Sequence, residues 1–209
     1  MHNKFLGTGV ALVTPFRNGT IDFNDLEQLI NHTINGGVNY LVVLGTTGET
    51  ATLSKTEQKA VFNHTIRIVN GRVPIVAGFG GNNTHELTET IKAFDFNNIA
   101  AILSVVPAYN KPTQKGIFAH FMAIEKASPV PIILYNVPSR TGVNMTAETT
   151  IKLAKASNKF IGIKEASGDI IQCMQIIKHQ PTHFSLISGD DNLTLPIIAS
   201  GGILSLIHI

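Results

Sequence analysis

Pro131-Ile-Ile-Leu-Tyr135 carries no charge and no alternation of apolar with polar residues. A strand with one face in water alternates. A run that is apolar throughout reads as a strand covered on both faces, as in a parallel sheet. Six more runs of this kind flank it: Gly9–Val13, Tyr40–Leu44, Pro74–Ala77, Ala100–Val106, Phe160–Lys164 and Phe184–Ser188.

Helical patterns fill the gaps. Asp22 to Asn35 places Phe23, Leu26, Leu29, Ile30 and Ile34 on one stripe, and Gly36-Gly37 ends it. Ser54-Lys-Thr-Glu57 is a capping box that opens a helix running to about Asn70. Asn83-Thr-His-Glu86 opens another, and Pro112 suits the first turn of a helix reaching Ala127. Further helices are expected near 146–157, 169–179 and 191–199. Strict alternation of strand and helix implies right-handed crossovers and a parallel sheet. Strands about 25–30 residues apart suit an open doubly wound sheet or a closed eight-fold barrel, which takes about 250 residues.

The chain has 209 residues, 44% of them apolar, enough for a sizeable core. Sixteen Lys and Arg against 14 Asp and Glu leave a net charge of +2, no footprint for nucleic acid or an anionic membrane. The lone Cys173 excludes an internal disulfide framework and fits a reducing compartment. The apolar runs fall far short of the ~20 residues that span a bilayer. The start, Met1-His-Asn-Lys-Phe-Leu-Gly7, does not read as a secretory leader, so a cytoplasmic location is expected.

Three stretches carry chemistry. Gly45-Thr-Thr-Gly-Glu49 follows the second strand, and its hydroxyls and backbone N–H groups could cradle a carboxylate or phosphate; a plain strand-to-helix turn is the ordinary alternative. In Tyr135-Asn-Val-Pro-Ser-Arg-Thr-Gly142, a strand-end phenol can relay protons and the Arg140 fork can clamp a carboxylate, against the ordinary roles of rim packing and a solvated charge. Lys164, in Phe160-Ile-Gly-Ile-Lys-Glu-Ala-Ser167, is the most telling residue. An amine in a buried strand is paired or loses its charge, and a neutral amine forms Schiff bases with carbonyls. Glu165 is the obvious ion-pair partner, but adjacent strand residues point to opposite faces. Gly189-Asp-Asp191 reads as a helix cap rather than a metal site, Cys173 as inert core, and the eight histidines show no metal-ligand spacing.

Together, Gly45–Glu49, Val106-Pro-Ala-Tyr-Asn-Lys-Pro112, Tyr135–Gly142, Gly162-Ile-Lys-Glu-Ala-Ser167 and Ser188-Gly-Asp-Asp191 resemble the dihydrodipicolinate synthases, within the N-acetylneuraminate lyase superfamily, over about Thr8 to Ile203. The resemblance implies a (β/α)8 barrel in which pyruvate and L-aspartate 4-semialdehyde condense on the route to diaminopimelate and lysine. It implies that Lys164 forms the imine with pyruvate and Tyr135 relays protons. Thr46 would link Tyr135 to Tyr109, the latter supplied by a neighbouring subunit of a homodimer or homotetramer. Thr47 would hold the pyruvate carboxylate, Arg140 that of the semialdehyde, and Gly189 would line the pocket. No metal or organic cofactor is implied. Independently, Thr46, Tyr109, Tyr135 and Lys164 fall at or just past the C-terminal ends of strands two, four, five and six, which a barrel gathers on one face.

Ala108 departs from the pattern, where many members have a second tyrosine; Lys55 and Gln58 depart from it too, where some lysine-inhibited members have histidines. Leu204-Ser-Leu-Ile-His-Ile209 reads as a translated sequencing-library transposon end, with a natural short tail as the alternative, so residues 1–203 are expected to be a partial barrel and 204–209 a non-native tail. The eighth strand, last helix and C-terminal helical extension are then missing. Seven strands would leave two raw edges, and the chain as written is expected to be poorly soluble or inactive. The rival readings are another pyruvate-dependent aldolase of the same superfamily, or an inactive fragment that only binds.

Overall fold

The structure, a computed structural model, describes residue 5 and residues 7–207. The expected reading of the chain start rests partly on Met1–Lys4 and Leu6, and that of the tail partly on His208 and Ile209; these lie outside the described residues. The elements in chain order are β1 (Gly7–Ala11), β2 (Phe16–Arg17), β3 (Thr20–Ile21), α1 (Phe23–Asn35), β4 (Tyr40–Val43), α2 (Lys55–Val69), β5 (Ile75–Phe79), α3 (Thr84–Ala93), β6 (Ala101–Val105), α4 (Gln114–Ala127), β7 (Ile132–Asn136), α5 (Pro138–Thr141), α6 (Ala147–Ala156), β8 (Phe160–Glu165), α7 (Ile170–His179), β9 (Ser185–Ser188), α8 (Thr194–Ala199) and β10 (Leu204–Ile207). All seven expected strands form, within a few residues of their predicted limits.

Eight strands close a barrel in the order β1-β10-β9-β8-β7-β6-β5-β4, every pairing parallel, with β4 returning to β1. The barrel is the expected fold. Its eighth place, expected to lack the family's own strand, is taken by Leu204–Ile207, β10: Gly7 to Val10 face Leu204 to Ile207 on one side, and Ile187 and Ser188 face Leu204 and Ser205 on the other. The physical reason is plain. Two unpaired strand edges attract any short apolar segment that satisfies their N–H and C=O groups, and Leu206 fills an inward position with no exposure. The raw edges behind the expected insolubility are thereby paired.

Two apolar layers result. Tyr40, Val42, Val76, Leu103, Ile133 and Ile187 fill the barrel interior. Leu41, Val43, Ile102, Leu134, Ile163 and Leu186 point outward and pack against helix residues such as Leu26, Ile91, Phe121 and Ile176. Each such side chain, fully buried, contributes about 1.5–3 kcal/mol. The predicted capping box of α2 forms: Ser54 accepts the Glu57 N–H at 3.3 Å, and Glu57 accepts the Ser54 N–H at 2.8 Å. Pro112 lies outside α4 rather than in its first turn, because the Thr113 hydroxyl takes the Gly116 N–H and becomes the cap.

One irregularity sets the site. Ile132 faces Phe160, but the next residue, Ile133, faces Gly162, so β8 holds one extra residue at Ile161. Phe160 packs outward and Ile161 inward. Unbroken alternation from Phe160 would turn residue 164 outward, toward the helices. The bulge reverses the phase and turns it inward.

Candidate active site

Lys164 on β8 and Tyr135 on β7 are Cα partners, and both side chains point into the barrel near the C-terminal ends of their strands. The Lys164 Nζ stands 4.8 Å from the centre of the Tyr135 ring. Lys164 is 3% exposed and takes part in none of the ion pairs among the described residues. Burial brings its pKa down to about 8, and the Arg140 charge pushes the same way, while Asp191 and Asp190 oppose them. An appreciable share of the amine is therefore neutral near neutrality. Burial holds the Tyr135 phenol above its ordinary range and so protonated, against a hydrogen bond with Thr46 and the Arg140 charge, which pull it down.

The Glu165 carboxylate faces the other side of the sheet, as adjacent strand residues must. It accepts the Asn136 Nδ2 at 2.9 and 3.2 Å, the Gln172 Nε2 at 3.1 Å and the Ser167 N–H at 2.9 Å. Burial raises its pKa, and these donors oppose the rise.

Thr46 and Thr47 stand on a 3-10 turn, Thr46–Gly48, directly after β4. The turn needs left-handed backbone at Leu44 and Glu49. Its fastenings are the Thr50 hydroxyl on the Leu44 and Gly45 carbonyls (2.5 and 3.0 Å) and the Thr14 hydroxyl on the Gly48 carbonyl (2.7 Å). Gly78 on β5 makes room for it, since a Cβ there would lie 2.2 Å from the Leu44 carbonyl oxygen. The sequence held that signal, a glycine inside a strand, which marks close backbone approach. We expect Gly78→Ala to destabilise the fold by about 3 kcal/mol. Through displacement of Thr46 it should also slow any reaction at Lys164 about 100-fold. A melting curve and a covalent trapping rate check this; parent values for both would show that Gly78 does not support the turn.

The remaining candidates divide. Gly189, just after β9, belongs to the Lys164 pocket: a Cβ on it would come within 3.0 Å of the Lys164 Cε and 2.9 Å of the Ala166 Cβ. Arg140 is exposed on α5, where its charge reaches both Tyr135 and Lys164. Tyr109 is not brought in. It is 87% exposed in the β6–α4 connection, at φ +70°, with its N–H on the Thr141 carbonyl at 3.2 Å. Asp190 and Asp191 do not cap by side chain as expected; they lend negative charge to Lys164 instead. Cys173 is buried core, its thiol pushed up to about 12. Among the described residues no three His, Cys, Asp or Glu side chains gather as metal ligands, and no helix is long and apolar enough to cross a membrane.

A closed parallel barrel with its polar, reactive side chains at the C-terminal ends of the strands is the architecture of the (β/α)8 enzymes. Within that class, residues 4–207 match the family model described as the dihydrodipicolinate synthetase family, and the chain belongs to that family. It is 54% identical over 199 residues to the 4-hydroxy-tetrahydrodipicolinate synthase of Flavobacterium psychrophilum, covering 95% of this chain and 68% of the relative. With the synthase of Parabacteroides distasonis the identity is 50% over 204 residues, 96% of this chain and 69% of the other. Among solved structures, the dihydrodipicolinate synthase of Thermotoga maritima superposes with a TM-score of 0.94 at 37% identity, over 98% of this chain and 70% of that one.

Proposed function

We propose that this chain carries 4-hydroxy-tetrahydrodipicolinate synthase activity, the lyase-class condensation of pyruvate with L-aspartate 4-semialdehyde. The observation that carries the reading is the Lys164 amine, buried against the Tyr135 ring and in none of the ion pairs among the described residues. The neutral amine attacks the C2 carbonyl of pyruvate, and the carbinolamine loses water to give an imine. Tyr135, protonated and held by Thr46, delivers and recovers the protons of these steps. The cationic imine makes the methyl group acidic, and the resulting enamine attacks the aldehyde carbon. The lysine is itself the electron sink, so the reaction calls for no metal or organic cofactor.

In the same reading Thr47 holds the pyruvate carboxylate, Arg140 takes that of the semialdehyde, and Gly189 leaves room for the Lys164 stem. Tyr109, with its ring in solvent, serves the site of a neighbouring copy in a homodimer or homotetramer. One structural neighbour, at a TM-score of 0.94, is described as a monomeric dihydrodipicolinate synthase variant, so solution mass is the measurement that decides assembly. The enzyme works in the cytoplasm.

Borohydride trapping with pyruvate, followed by peptide mapping, tests the core of the reading. A label on Lys164 supports it; a label elsewhere, or none, removes it. Competition between L-aspartate 4-semialdehyde and sugar aldehydes separates it from the sugar-acid aldolases.

The pH dependence has a definite sign. With a pKa of about 8, the neutral fraction of Lys164 rises with pH and levels off above that value. Imine formation should therefore climb roughly tenfold per unit below the midpoint and flatten above it. A rate still climbing toward pH 10 would show an ordinary, solvated amine.

A further inference from the structure

Asn136 and Glu165 follow Tyr135 and Lys164 directly, and they too are Cα partners. The first pair of side chains points into the barrel, so the second points out toward the helices, 0% and 1% exposed. The Asn136 Nδ2 donates to both Glu165 oxygens, and its Oδ1 accepts the Met145 N–H at 3.0 Å. Glu165 ties in more of the fold: its side chain takes the Gln172 Nε2 of α7, and its carbonyl takes the Gly189 N–H at 2.8 Å. None of the ion pairs among the described residues includes Glu165. Burying a carboxylate without a counter-ion is costly, and an apolar pair would serve packing better. What the polar pair supplies is directional: it locks the last residues of two strands, where the ladder ends and packing alone sets orientation loosely.

We propose that Asn136 and Glu165 form a clasp on the helix side of the sheet that aligns Tyr135 with Lys164 inside it. Both are positioning residues, touching no substrate. The clasp rests on the proposed imine chemistry. A misplacement of about 1 Å between the phenol and the amine costs on the order of 100-fold in rate.

The test compares the full chain with Glu165→Gln, Asn136→Asp and the two combined. Glu165→Gln puts an amide nitrogen in place of one oxygen, against two of its three donors, and Asn136→Asp sets carboxylate against carboxylate. The combined variant restores one donor facing one acceptor with the polarity reversed. The readouts are the rate of borohydride-trapped pyruvate adduct per folded molecule, its pH midpoint, and the pyruvate KM.

Each single change should slow trapping about 10–100-fold per folded molecule and move the midpoint. The combined variant should recover at least about tenfold over the product of the two losses. Singles that trap at the parent rate per folded molecule, or losses that simply multiply, overturn the clasp while leaving the imine chemistry intact. If neither single folds, a combined variant that folds and traps supports the clasp. Failure of all three to fold overturns it in favour of a purely structural pair. A parent chain that captures no pyruvate overturns the functional reading and takes the clasp with it.

Discussion

Lys164→Met abolishes covalent capture of pyruvate and lowers condensation on the order of 10⁴-fold or more, the scale of losing a covalent nucleophile. The same variant melts higher than the parent at pH 7. The two effects share one cause. Lys164 is 3% exposed, and its pKa is brought down to about 8, so folding works against the charged form of the amine. The unfolded chain binds that proton more tightly. Between about 8 and the ordinary lysine value, stability therefore rises with pH; below about 8 the whole penalty is present. Removing the amine should return up to about 3 kcal/mol at neutral pH and flatten the pH dependence of unfolding in that window. Methionine keeps most of the volume and adds no polar group. Parallel chemical denaturation at pH 7 and 10, with mass spectrometry after borohydride, reads both effects. A variant that still takes up pyruvate elsewhere, or loses stability at pH 7, would show that Lys164 is not the sequestered nucleophile.

Tyr135→Phe is expected to cut kcat by about 10²–10⁴-fold, the range for a positioned proton carrier, with little change in the pyruvate KM. The ring is 6% exposed within the interior layer, and phenylalanine preserves its packing and its face toward the Lys164 amine. Only the hydroxyl, and with it the hydrogen bond to Thr46, is lost. Melting should therefore stay within about a kcal/mol of the parent. Steady-state kinetics and thermal denaturation separate the outcomes. A large rise in KM at constant kcat would make Tyr135 a binding residue rather than a proton carrier.

The barrel was legible because doubly buried strands announce themselves: Pro131–Tyr135 and its six counterparts admit no wet face. The burial of Lys164 was legible for the same reason, since it lies within such a run. The facing of Lys164 was less so. A strict two-residue period from Phe160 sends it outward, and nothing in Ile161-Gly162 alone reveals the bulge that turns it in. The Asn136–Glu165 contact was hidden because it joins residues 29 apart, and only the parallel register brings them together. The apparent cap at Asp190-Asp191 misled because short acids before a helix usually serve its N–H groups; here they lend their charge to Lys164. That Leu204–Ile207 can serve as a stave was hidden because one needs little beyond a few backbone pairs and one apolar knob, which Leu206 provides.

The strand β10 also marks where the ring is thinnest. On its β9 side it meets only Ile187 and Ser188, the residues just before Gly189. With two paired positions against three or more at every other seam, breathing of the cylinder is expected to start here and to spread toward the nucleophile's wall. Warmth short of global melting would thus hydrate the amine first, restoring its proton and silencing it while the helices still stand.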